Sequence, residues 1–220
     1  MATNKETQEL LGYLETSCLK MAGLLEEIHT FLQDLAKPET FDIMRKIRGE
    51  TGVQYLSDFV TYTLDSVAEA TKNLAFIVKW IQCLKGESKS GCSPDLLEKA
   101  RIAALNLQIA FSEKRYDPPY YDIKGGKAEE PFLHYKTLRS YLLQAQSAGH
   151  PVGHLLEIFN KPEDFLKEYN KLAHDILTYV NLIINSYVLR QINQYLTQSF
   201  TKEAENIPEE EIPEELFEED

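Results

Sequence analysis

Leu11, Leu14, Cys18, Met21, Leu25, Ile28, Leu32 and Leu35 follow one another at steps of 3, 4, 3, 4, 3, 4 and 3. An α-helix turns once in 3.6 residues, so this series forms one stripe of a helix and cannot line one face of a strand. Leu10, Leu24 and Phe31 lie beside the stripe and widen it. A second series keeps the same rhythm through Val53, Leu56, Val60, Thr63, Val67, Ala70, Leu74, Ile77, Ile81 and Leu84. Thr63 and Ala70 are small there, which lets a neighbouring helix approach closely. At 1.5 Å per residue the two stripes imply helices of roughly 37 and 50 Å. Helices of that length bury their stripes by packing along one another at about 20°, as in bundles.

Three further segments carry the rhythm. Leu97, Ala100, Ala104, Leu107 and Phe111 place a helix from Pro94 to about Arg115. Tyr135, Leu138, Leu142 and Ala145 place another from about Pro131. The last, from Pro162 to about Phe200, shows a broader stripe through Phe165, Tyr169, Leu172, Ile176, Val180, Ile183, Tyr187, Ile192 and Tyr195. Its width implies more than one neighbour. No segment alternates at period two, so no sheet is expected. The fold class is therefore all-α, an antiparallel bundle of five to six helices, several of them long.

The punctuation agrees. Proline lacks an N–H and suits the first helical turn, and an acid there complements the helix dipole. Lys37-Pro38-Glu39, Ser93-Pro94-Asp95 and Lys161-Pro162-Glu163 all have that form. Gly49 and Gly52 bracket a turn after a short helix from Pro38, Gly86 and Gly91 bracket a polar loop, and Gly149 with Pro151 stops the fourth helix. The similarity between the approaches to Lys37-Pro38 and Lys161-Pro162 reads as reuse of one start signal.

Charge is distributed unevenly. The chain carries −12, and −9 of that falls in Thr201–Asp220, where ten acids face one lysine. The reading is a nearly neutral bundle over residues 1–200 and a disordered acidic tail over 201–220, since such a tail buries too little to offset chain entropy. Apolar residues make up 43% and charged ones 26%, enough for a core without metal or disulfide support. Three cysteines, with no Cys-x-x-Cys spacing and no leader-like start, lead to an expected cytoplasmic location. The most apolar stretch, Ile176–Leu189, is interrupted by Asn181, Asn185 and Ser186 and is too short to cross a bilayer. The acidic balance speaks against nucleic acid, whose phosphates require clustered Lys and Arg. Lys114, Arg115, Lys124 and Lys127 form the one modest basic group.

Glu26 and His29 make one Glu-x-x-His, but a di-iron bundle needs a second copy and further glutamates, and none of the other histidines supplies it. His150 and His154 read as surface residues. Neither a Gly-x-Ser-x-Gly elbow nor a phosphate loop occurs, and Gly125-Gly126-Lys127 lacks the required spacing. Cys18 lies on the first stripe as an apolar filler, and Trp80 and Cys83 read as packed. No cofactor or metal site is expected. The sequence Leu172-Ala173-His174-Asp175-Ile176-Leu177-Thr178 resembles, over seven residues, the phosphoacceptor box of two-component histidine kinases; the resemblance implies a phosphotransfer module using His174.

Two segments suit contact. The stretch 116–127 combines Tyr116, Tyr120 and Tyr121 with Pro118-Pro119 and Gly125-Gly126. A connection of that length is commonly a binding element, or a crossover whose tyrosines cap the bundle. In the tail, Ile207, Ile212, Leu216 and Phe217 punctuate the acids, which suits a partner with a basic-rimmed apolar groove. Pro208 and Pro213 hold the segment extended, leaving Leu216-Phe217 free to form a helical turn. Glutamate-dense C-termini of this kind also resemble substrates of some bacterial type IV secretion systems, which implies a secreted effector as an alternative location.

The expected function is a non-enzymatic interaction module: an adaptor, chaperone-like protein or accessory subunit, with self-association through the first stripe as one option. The alternatives are a bundle binding lipid or another small molecule, and the phosphotransfer module.

Overall fold

The computed structural model describes residues 5–86, 94–111, 116–117, 122–123 and 131–205. Six helices occur among them: α1 (Lys5–Leu35), α2 (Pro38–Leu84), α3 (Pro94–Ile109), α4 (Pro131–Ser147), α5 (Gly153–Ile158) and α6 (Lys161–Glu205). The all-α bundle expected from the periodicity is the fold. Contacts divide the chain into two units, Met1–Ile183 and Ile184–Asp220.

All eight members of the first stripe are buried on α1. The second stripe is buried on α2 from Leu56 to Ile81 and half-buried at its ends, Val53 and Leu84. A further line on α2 runs through Phe59, Ser66, Asn73 and Trp80 at steps of seven, and all four are buried. Two buried lines make α2 the central helix, which packs against α1, α3 and α4. Ser66 and Asn73 disguise the second line because they are polar. The Asn73 amide is accommodated by donating to the Glu69 carbonyl at 2.9 Å and to its carboxylate at 3.1 Å. Thr63 donates its hydroxyl to the Phe59 carbonyl at 2.6 Å, so a polar atom at a stripe position stays satisfied one turn back.

The start of α2 follows the proline rule. Lys37, at φ −68° and ψ 143°, is held extended by Pro38, which occupies the first turn. The turn expected between Gly49 and Gly52 is narrower than read: α2 is broken at one residue, Gly49, with φ 62° and ψ −153°. Only glycine adopts that backbone region without strain. The break folds the Pro38–Arg48 segment over Gly52, where an added Cβ would lie 2.9 Å from the Arg48 Cβ and from the Met44 carbonyl oxygen.

Two other expectations are corrected. Helix α3 ends at Ile109 and not near Arg115, with a turn at Ala110 and Phe111. A short antiparallel pair, β1 (Tyr116–Asp117) and β2 (Asp122–Ile123), follows it with Tyr116 opposite Ile123. Pairs of two residues are too short to show alternation, so the period-two test misses them.

Within Met1–Ile183 the core is aromatic at one end. Phe59, Tyr135 and Phe159 surround one another at 6.2 Å between ring centres. Phe111 meets Tyr169 edge-on at 4.6 Å, and the Tyr169 hydroxyl donates to the Leu107 carbonyl at 2.6 Å. Burial raises the Tyr169 phenol well above its ordinary pKa.

Candidate interaction surface

Helix α6 carries one apolar pattern with two different fates. Tyr169, Leu172, Ala173, Ile176, Val180 and Ile183 are buried. Beyond Ile183 the pattern continues, but Tyr187 is half-buried and Val188, Leu189, Ile192, Tyr195 and Leu196 are exposed. Leu189 is 60% exposed and Tyr195 71%. The width of the stripe implies more than one neighbour, and its last part lies exposed.

The exposed residues are ordered. Leu189, Ile192 and Leu196 step by 3 and 4, while Val188 and Tyr195 form a parallel line seven apart. On a helix both lines share one face, the arrangement that buries against another helix. Between Ile184 and Phe200 the only charged side chain is Arg190, whose guanidinium donates to the Ser186 hydroxyl at 3.1 Å. The other polar positions are Asn, Gln, Ser and Thr. The segment therefore has an apolar face and almost no net charge to repel a second apolar surface.

The residues singled out from sequence fall differently. Tyr116 lies on β1, opposite Ile123. Tyr120 and Tyr121, Cys92, Lys114, Arg115, Lys124 and Lys127 lie outside the described residues, as do Ile207, Ile212, Leu216 and Phe217. His174 is exposed on α6 with Asp175 half-buried beside it, and His150 and His154 are exposed. His29 shares a 3.0 Å hydrogen bond with the Gln33 amide. Among the described residues no three His, Cys, Asp or Glu side chains are placed to hold a metal ion.

The cysteines separate. Cys18 is a free thiol, buried on α1, and burial together with the nearby Glu15 carboxylate pushes its pKa up to about 12. Such a thiol stays protonated and inert at neutral pH. Cys83 is buried as expected, but it is disulfide-bonded. The odd cysteine count was read as favouring reducing surroundings, and this bond removes that argument, since disulfides persist where conditions are oxidising.

One small, mostly apolar pocket lies within Met1–Ile183. It measures about 20 Å³ and is lined by Ile28, Phe31, Phe59, Phe111 and Tyr169 among others. That is about the size of one water molecule's sphere. The polar lining atoms, the Thr63 and Tyr169 hydroxyls, already have partners. No helix among the described residues is long and apolar enough to cross a membrane.

Sequence reasoning missed the exposed face of α6 because periodicity records that a stripe is apolar, not what covers it. One available signal was the near-absence of charge over residues 184–200. Comparison with protein-family models, with curated proteins and with solved structures found no match to this chain.

Proposed function

We propose that the chain is a non-enzymatic protein-interaction module, an adaptor, chaperone-like protein or accessory subunit. It acts through the apolar face formed by Val188, Leu189, Ile192, Tyr195 and Leu196, and through the acidic C-terminal peptide with Leu216 and Phe217. One observation carries this reading: five large apolar side chains share one helix face and remain exposed, directly after six buried ones on the same helix. Burying a side chain of that size is worth about 1.5–3 kcal/mol. An ordered face of several such residues is characteristic of a surface that a partner covers.

The tail adds a second, electrostatic element. Its net −9 favours a partner with a basic-rimmed groove and speeds encounter at low salt. The test compares tagged full-length chain, a Leu189→Gln/Ile192→Gln/Leu196→Gln variant and a variant lacking Ile207–Asp220. Co-purifying proteins are quantified, and light scattering reports whether a second copy is the partner. The expected result is a stoichiometric companion, or dimer, that is lost in the triple variant and weakened without the tail, at unchanged helicity. Identical companions and identical mass for all three chains would overturn the proposal.

A further inference from the structure

A second surface lies wholly within Met1–Ile183. A groove of about 800 Å³ runs beside α1, with Ile158 at the end of α5 and Lys161, Asp164 and Phe165 from the start of α6 on its other side. Gly23, Glu27, Thr30 and Asp34 supply the α1 side at steps of 4, 3 and 4, joined by Glu26. From Gly23 to Asp34 the helix advances about 17 Å, roughly three turns.

The floor is aromatic. Phe31 is buried and Phe165 half-buried, and their rings meet edge-on at 5.5 Å. At Gly23 the groove lacks a side chain, and an added Cβ would meet nothing within 4 Å. Thr30 turns its hydroxyl away to the Glu26 carbonyl at 3.0 Å, so this position asks for no polar partner.

The rim carries four carboxylates, Glu26, Glu27, Asp34 and Asp164, against one ammonium, Lys161. Asp34 is held by Lys37 at 2.7 Å. Among the described residues Glu26, Glu27 and Asp164 form no ion pair within 4.0 Å. The carboxylates are spread along the groove, and no three of them converge to hold a metal ion. The sign also turns away nucleic acid and this chain's own tail, which carries −9. An elongated cation with an apolar side satisfies both floor and rim.

We propose that this groove docks a cationic amphipathic helix of a partner protein, seating an apolar anchor on Phe31 and Phe165 and placing Lys or Arg across Glu26, Glu27 and Asp164. This is the helix-in-groove mode, in which apolar spacing gives affinity and rim charge gives selectivity. The groove shares no residue with the 188–196 face, so either surface stands if the other fails.

The test uses the full-length chain and three labelled synthetic helices of about four turns: one patterned with Leu and Lys, one with Leu and Glu, and one with Ser and Lys. Fluorescence anisotropy is read at low and moderate salt. The Leu/Lys helix is expected to bind, and the other two to bind at least about tenfold more weakly. Glu26→Gln/Glu27→Gln/Asp164→Asn is expected to weaken Leu/Lys binding about tenfold or more. A charge-matched control, Glu6→Gln/Glu9→Gln/Asp65→Asn, is expected to leave it within about twofold. Phe165→Ser is expected to weaken it while circular dichroism holds. Equal loss in both triple variants, or none in either, would assign the binding to overall charge or to the acidic tail and overturn the proposal. So would equal affinity for the Ser/Lys helix.

Discussion

Ile176 and Ile192 lie on the same helix, sixteen residues apart, and differ in what surrounds them. Ile176 has no exposed surface, whereas Ile192 is 49% exposed. Replacing Ile176 by Ala removes buried methyl and methylene groups and leaves a cavity, at a cost of about 2–5 kcal/mol. Replacing Ile192 removes groups already half in water and gains a little helix propensity, about 0.4 kcal/mol. The two effects nearly cancel, and the net change falls within about 0.5 kcal/mol. For a unit of this size the first substitution lowers Tm by roughly 7–14 °C at a mid-range cost, and the second leaves it within about 2 °C. Urea titration followed by far-ultraviolet circular dichroism, repeated across a concentration series, measures both. An Ile192→Ala loss as large as that of Ile176→Ala, and independent of concentration, would show that the face is covered within a single chain. That result would refute the argument from exposure.

Two further outcomes follow from local geometry. Gly49→Ala puts a Cβ on a backbone that only glycine adopts freely, and a loss of about 1–3 kcal/mol in thermal or urea unfolding is expected. Cys18 has its pKa raised by burial from 9.0 to about 12, so the folded state holds the proton more tightly than the unfolded chain. Its contribution is present in full below pH 9 and is lost as pH rises toward 12. The stability difference between the parent chain and Cys18→Ala therefore shrinks across that window, which urea titrations at stepped pH measure. The same contrast is open to alkylation: in denaturant Cys18 is expected to react with or without reductant, and Cys83 only after reduction.

Much of the fold was legible because 3/4 spacing leaves no alternative to a helix, and the two long stripes were long enough to average over exceptions such as Thr63. The second buried line of α2 was not legible. Ser66 and Asn73 belong to it, and the hydrogen bonds from the Asn73 amide to the Glu69 carbonyl and carboxylate explain how the helix accepts Asn73 there. The break at Gly49 was foreseen in place but not in form, because a single-residue kink and a short turn have the same glycine signature. The acidic groove escaped the sequence reading for a different reason. Its rim joins α1 to the α5–α6 junction, more than 120 positions apart, and neither half is unusual by itself. The face of α6 was visible as a stripe, but periodicity does not record whether a stripe is buried or exposed.

Hydroxyl-radical footprinting read by mass spectrometry tests the central claim most directly. On the purified chain, Leu189, Ile192, Tyr195 and Leu196 are expected to be oxidised as readily as the exposed Leu19, which is 70% accessible, while Leu172 and Ile176 are protected. In intact cells the same four residues are expected to become protected, with Leu19 unchanged. A purified chain in which the four are already protected as monomer, or a cellular pattern identical to the purified one, would contradict the account.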